Sequence, residues 1–99
     1  MKTFEKLYEE MEDAKVRYVG FTDGHKRFDF AILYTTMFFG KPLIICMQSN
    51  RCALLDSEDL ENIDYIQSVF KPCEEQEAVS IAEFLKTAIP ETPFEPQYD

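Results

Sequence analysis

Six polar or reactive side chains stand inside otherwise apolar segments of this 99-residue chain, and their types could support chemistry. Ligand sites usually combine an apolar lining with a few convergent polar groups that orient the bound molecule. A guanidinium, a carboxylate, two phenols, a thiol and an amide on one sheet surface would form such a small-molecule-binding or enzymatic site. The six side chains are those of Arg17, Tyr18, Asp29, Tyr34, Cys46 and Gln48.

Asp29 is the most unusual of the six because aromatic residues flank it on both sides. A hairpin with a four-residue loop at 23–26 would place Asp29 opposite Gly20, where the missing side chain leaves room. Arg17 or Arg27 could then pair with its carboxylate. We favour a structural ion pair at a strand edge or interface over a catalytic acid.

The cysteines and the single histidine form no metal-binding or catalytic pattern. Metal sites need clustered ligands, and the chain contains neither a CxxC nor an HxxxH motif. Cys46 and Cys52 would share a sheet face if three residues joined their strands, and would lie on opposite faces if two did. Neighbouring carboxylates would raise the pKa of Cys73, and His25 falls in a predicted turn. We therefore predict no catalytic residues, no bound metal and no cofactor.

Residues 36–41 form a predicted loop in which Phe38 and Phe39 precede Gly40-Lys41. Exposed aromatic residues in loops commonly make functional contacts. Two interpretations are open: the rings fold back and plug the core, or they contact a partner, with Tyr18 as a further contact residue. The three glycines fit no phosphate-binding motif.

An α+β domain is predicted to position these residues. Apolar and β-branched runs predict strands over 15–22, 27–35, 42–48 and 51–55, which form a four-stranded antiparallel meander. Helices are predicted over 3–13, from 56–57 to Pro72 and over 74–88, so that the element order is α-β-β-β-β-α-α.

The N-terminal helix prediction depends on Phe4, Leu7, Tyr8 and Met11, which follow the i, i+3, i+4, i+7 spacing of a helical stripe. With the four-residue hairpin loop, both faces of the first two strands are apolar. Either helices cover both faces, or a second copy of the chain covers one. The first face carries Val19, Phe21, Phe28, Phe30, Ile32 and Tyr34, and the second carries Val16, Tyr18, Ala31 and Leu33.

The composition predicts one domain over residues 1–89 and an acidic, proline-rich tail over 90–99 that is dispensable for folding. The net charge of −9 lies entirely in residues 50–99, which carry three basic and twelve acidic side chains. Such a charge repels phosphate backbones and argues against nucleic acid as a partner. Interruptions in the apolar run 27–48 argue against a membrane span.

Localisation is predicted from the N-terminus and the cysteine count. No apolar signal-peptide region is present, and three cysteines are too few for a disulfide framework. We expect a cytoplasmic protein with reduced thiols.

Four runs of the sequence, KVRYVGF, RFDFAILYT, FFGKPLIICMQ and LLDSEDLENIDYIQ, resemble a domain-of-unknown-function family of small cytosolic proteins from low-GC Gram-positive bacteria. The resemblance covers residues 3–88 and implies a single small domain in the cytoplasm. It implies no activity, cofactor or site. Together with the absence of a catalytic constellation and the two-faced apolar hairpin, it favours a non-enzymatic protein-interaction or regulatory module that forms a homodimer. The six-residue site is the alternative.

Overall fold

The computed structural model describes residues 3–71 and 74–89, and it shows an α+β arrangement. Four antiparallel strands form one sheet in the order β1-β2-β3-β4, and two helices follow. The predicted meander and the two C-terminal helices are thereby confirmed. The strands are β1 (Lys15–Thr22), β2 (Arg27–Tyr34), β3 (Leu43–Cys46) and β4 (Arg51–Leu54), and the helices are α1 (Ile63–Phe70) and α2 (Glu75–Ala88).

The β1–β2 hairpin has the register that its aromatic pairs predict. Phe21 lies opposite Phe28, and Gly20 lies opposite Asp29. Aromatic cross-strand pairs stabilise one register over its neighbours, because a one-residue slip would turn every side chain to the other face. The prediction of a four-residue loop at 23–26 is therefore correct.

The β3–β4 connection differs from both predicted loops. Four residues, 47–50, join the strands, so Cys46 lies opposite Arg51 and Ile45 lies opposite Cys52. Asn50 adopts a left-handed conformation with φ of 58°, which asparagine tolerates better than most residues. The two cysteines consequently lie on opposite faces of the sheet.

The predicted N-terminal helix over 3–13 is absent from the structure. Residues 3–14, here called the N-terminal arm, have no regular secondary structure, and all of them are exposed. A helix of this length is marginally stable in water unless its apolar stripe packs against something. In this structure the stripe contacts no core, and the side chain of Met11 is 95% exposed.

The predicted helix from 56–57 is divided into two parts. Asp56 and Asp59 each accept a hydrogen bond from the backbone N–H of the other, both at 3.0 Å, and this pair begins a short 3-10 helix, Asp59–Glu61. The backbone then becomes extended at Asn62, whose side chain accepts a hydrogen bond from the Tyr65 N–H and caps α1. A second N-cap, which the sequence analysis missed, therefore starts the α-helix later than predicted.

The core lies between one face of the sheet and the two helices. Phe30 packs edge-on against Phe70 with ring centroids 5.6 Å apart, and Phe21 stacks on Phe84 at 4.6 Å. The stripe predicted for α2 is buried at Ala78, Ile81, Ala82 and Leu85. Each large apolar side chain buried here contributes about 1.5–3 kcal/mol of transfer free energy. The sheet supplies Phe28, Phe30, Ile32, Ile44 and Cys46 to this core.

Three predictions fall wholly or partly on residues outside the described ranges. These are the tail at 90–99, the raised pKa of Cys73 and the helix end at Pro72. Within the described ranges, no helix combines the length and the apolar character that crossing a bilayer requires.

Candidate functional site

The face of the sheet opposite the helices is apolar across all four strands. The strand register aligns two rows of side chains on it, each contributed by one residue per strand. The buried core between the sheet and the two helices contains none of the side chains in these two rows. We call this surface the open face. Its first row is Val16, Leu33, Leu43 and Leu54, and its second row is Tyr18, Ala31, Ile45 and Cys52.

Exposure varies across the open face. The Tyr18 side chain is 76% exposed and Val16 is 42% exposed, both on the edge strand β1. The leucines and Ile45 are partly exposed, and Cys52 on the other edge strand is a free, exposed thiol. Since aliphatic and aromatic side chains gain free energy on leaving water, this surface favours contact with another apolar surface.

A polar cluster lies beyond these rows, toward the hairpin loop. The Asp29 carboxylate accepts hydrogen bonds from the Arg27 guanidinium at 3.0 and 3.2 Å and from the Gln48 amide at 2.7 Å. The Gln48 carbonyl in turn accepts from the Asp29 N–H at 2.8 Å. The pairing with Gly20 explains how the carboxylate fits, because a Cβ at Gly20 would lie 2.6 Å from an Asp29 oxygen.

Electrostatics keep this carboxylate ionised. The hydrogen bonds from Arg27, and after them the one from Gln48, lower the pKa of Asp29 below its ordinary value of 3.8. An acid catalyst needs the opposite, a pKa raised toward neutrality by burial or by a like charge. The arrangement is that of a structural ion pair.

Two depressions lie near the cluster. The first has a volume of about 590 Å³ and is lined by residues that include Tyr18, Asp29 and Met47. The second, of about 410 Å³, includes Cys46 and Gln48 beside Phe70 and Ile81. The Cys46 sulfur lies 4.0 Å from the Gln48 carbonyl oxygen.

Arg17 and Tyr34 lie on the helix side of the sheet and line neither depression. The Arg17 guanidinium donates to the Tyr34 hydroxyl at 3.1 Å and to the carbonyl of Ala88 at 2.6 Å. A cation at the C-terminal end of a helix interacts favourably with the helix dipole. Arg17 therefore links β1 to the C-terminal end of α2. Contacts among the six predicted residues connect Arg17 with Tyr34, and they connect Gln48 with both Asp29 and Cys46. Tyr18 lies apart from them on the open face.

The Phe38–Gly40 segment forms a short 3-10 helix with strained backbone. Phe38, Phe39 and Gly40 have φ values of 55°, 65° and 76°. A non-glycine residue in this region costs about 1–2 kcal/mol. The Phe39 ring is 97% exposed and Phe38 is 48% exposed, so the interpretation that both rings plug the core is wrong.

Lys41 holds this loop against the 3-10 helix Asp59–Glu61. Its ammonium lies 2.9 Å from the Asp59 carboxylate and 3.7 Å from that of Asp56. The hydrogen bond to Asp59 raises the pKa of Lys41. The ion pairs therefore fix the loop while leaving Phe39 in solvent.

The sequence matches the model of the SAV0927-like family over residues 7–87. The chain belongs to the SAV0927-like family. This match spans all four strands, α1 and nearly all of α2, and it begins inside the N-terminal arm. No curated protein matches the chain. The family description names no activity.

Sequence reasoning missed two features of the site. Leu43, Ile45 and Leu54 extend the open face, and alternation along the third strand would have indicated them once its pairing was known. Glu12 was also missed. It accepts hydrogen bonds from the Thr35 hydroxyl at 2.5 Å and the Thr36 N–H at 2.8 Å, and nothing distinguishes it within the acidic run that contains it.

The described residues also contain no group of three or more histidine, cysteine or carboxylate side chains placed to hold a metal ion.

Proposed function

We propose that this chain is a non-enzymatic protein-interaction module that forms a homodimer, in which a second copy covers the open face. The resemblance noted above suggests the cytoplasm of low-GC Gram-positive bacteria as its setting. One observation carries the proposal: two rows of apolar side chains cross the whole sheet, and the helices described for the chain pack on the other side.

The size of this surface supports an interaction role. Four strands spaced about 4.8 Å apart make a face roughly 19 Å wide, and four-residue strands such as β3 and β4 are about 13 Å long. Apolar patches of a few hundred Å² on soluble proteins are often functional. A second copy is the commonest partner, since most oligomers are symmetric homodimers.

Two charged side chains of the six-residue alternative already have partners within the chain, which supports a structural role for them. Near the open face, the Asp29 carboxylate accepts hydrogen bonds from Arg27 and Gln48. On the helix side of the sheet, the Arg17 guanidinium donates to the carbonyl of Ala88. The small-molecule alternative depends on the 590 Å³ depression beside Tyr18 and Asp29. A metabolite that copurifies with the protein and is released by Asp29→Ala would favour that alternative.

Sedimentation equilibrium of the wild type and two matched variants tests the proposal. We expect a dimer at micromolar protein concentrations. A dissociation constant of about 1 μM corresponds to an association free energy of about −8 kcal/mol. Tyr18→Asp places a charge on the open face and should shift the protein to monomer. Tyr65→Asp makes the same change at a partly exposed position of α1 and should leave the dimer intact. A wild type that stays monomeric, or equal effects of the two variants, would refute the proposal.

A further inference from the structure

Among the described residues, the N-terminal arm is a second exposed apolar surface. The side chains of Phe4, Leu7, Tyr8 and Met11 are 78%, 86%, 64% and 95% exposed. Their spacing is that of one stripe on a helix, while the structure shows no helix there. Lys6 and Glu9 form an ion pair on the polar side of that stripe, with nitrogen and oxygen 2.6 Å apart. The arm therefore has the pattern of a helix that needs a docking surface.

The open face matches such a helix in size. Residues 4–11 in helical form would be about 12 Å long and 10 Å across with side chains. The face is roughly 19 by 13 Å by the strand spacings given above. One short helix lying across the strands, parallel to the two apolar rows, would cover about two-thirds of their length.

Interface area favours the arm over direct stacking of two sheets. The open face measures roughly 250 Å² in projection, which is small beside the ~800 Å² of solvent-accessible surface that each partner buries in an interface of standard size. Two exchanged arms add two aromatic residues each, and every aromatic side chain buries about 150–250 Å². Exchange of the arms brings the total into the range of specific interfaces.

The anchor of the arm determines where it leaves the sheet. Glu12 is held by Thr35 and by Thr36 at the end of β2, and only two residues separate it from β1. This end of the sheet adjoins the row that begins with Val16. The arm is nevertheless exposed along its whole length and does not cover its own open face.

We propose that residues 4–11 fold into a helix on the open face of a second copy, so that the dimer exchanges its two arms. This inference rests on the proposed function and specifies which segment of the partner makes the contact. Docking would supply the apolar burial that an isolated short helix lacks.

Thiol cross-linking tests the exchange, because Cys52 is a native exposed thiol on the open face. Leu7→Cys places a second thiol on the apolar stripe, and Lys6→Cys places one on the opposite side of the same helix as the matched control. With a short bis-maleimide, we expect Leu7→Cys to give a covalent dimer linked between residues 7 and 52, in several-fold higher yield than Lys6→Cys. Peptide mapping identifies the linked residues. Equal yields from the two variants, or a 7–52 link within one chain, would overturn the proposal.

Sedimentation of Leu7→Asp/Met11→Asp separates this inference from the proposed function. We expect the dissociation constant of the dimer to rise at least about a hundredfold, because two apolar contacts are lost in each arm. If this variant dimerises like the wild type, the arm exchange is wrong and the open-face dimer stands. If the wild type is monomeric, both proposals fail.

Discussion

Gly20 and Asp29 determine the shape of the open face next to the hairpin loop. The two residues are paired across the strands, and the Asp29 carboxylate occupies the space that a side chain at position 20 would fill. Arg27 and Gln48 reach the carboxylate there. The pairing could be predicted from sequence because the hairpin register was determined by aromatic pairs. Gln48 was among the six predicted residues, but its hydrogen bonds with Asp29 could not be predicted, since they depend on the longer β3–β4 connection.

Gly20→Ala should destabilise the fold by about 1–2 kcal/mol, within the usual range for a strained core or strand substitution. The new Cβ would approach an Asp29 oxygen to 2.6 Å and the backbone oxygen of Phe28 to 3.2 Å. Urea unfolding measures the change. Gly20→Ala/Asp29→Ala is the control and should recover part of the loss, since only the backbone contact remains. An alanine variant as stable as the wild type would contradict the geometry.

The ion pair also predicts a pH dependence. The folded-state pKa of Asp29 is lowered from its ordinary value of 3.8, so the carboxylate stabilises the fold above that value. Its contribution is lost as the pH falls through the lowered pKa. The stability difference between wild type and Asp29→Asn should therefore be constant near neutral pH and shrink in acid. If this stability difference is the same at neutral pH and at a pH of about 3, the ion pair does not lower the pKa of Asp29.

The secondary-structure elements differ in how well the local sequence pattern predicts them. The β1–β2 hairpin and α2 carry strong periodic patterns, and both match the structure closely. The arm has an equally clear helical pattern, but its apolar stripe is exposed in the described part of the chain. Burial rather than pattern decides whether a short helix forms. The helix start shifted from Asp56 to Ile63 because two N-cap signals compete in that stretch.

The Phe38–Gly40 loop is the strained element of the fold. Phe39 lies in the left-handed region, and its ring is almost wholly in solvent. Asparagine tolerates this conformation better than phenylalanine. Phe39→Asn should leave the stability of the monomer unchanged or raise it by up to about 1 kcal/mol. Thermal unfolding at low protein concentration is the measurement.

Phe38→Asn is the matched comparison for this loop. Phe38 is also left-handed, but its ring is only half exposed, so the variant loses packing and should be less stable than Phe39→Asn. If Phe39→Asn unfolds the domain, the ring packs in the core. If it weakens self-association without unfolding, the prediction that Phe39 is a contact residue is supported.

The part of the molecule that the structure describes is a sheet with one face packed against its own helices and the other face apolar. The sequence showed that both faces of the hairpin are apolar, and it left two ways to cover them. In the structure α1 and α2 share one face, because their buried stripes also pack on each other. Among the residues that the structure describes, the second face and the arm then expose apolar side chains to solvent, as does the Phe38–Gly40 loop.

The alkylation rate of native Cys52 tests the central claim most directly. The thiol lies on the open face and is exposed in a single chain, whereas Cys46 is buried and serves as an internal reference. Peptide mass spectrometry after timed iodoacetamide treatment gives both rates over a range of protein concentrations. If a second copy covers the open face, the Cys52 rate should fall with the fraction of free monomer while the Cys46 rate stays slow. A Cys52 rate that is independent of concentration, in a sample that sediments as a dimer, would contradict the account.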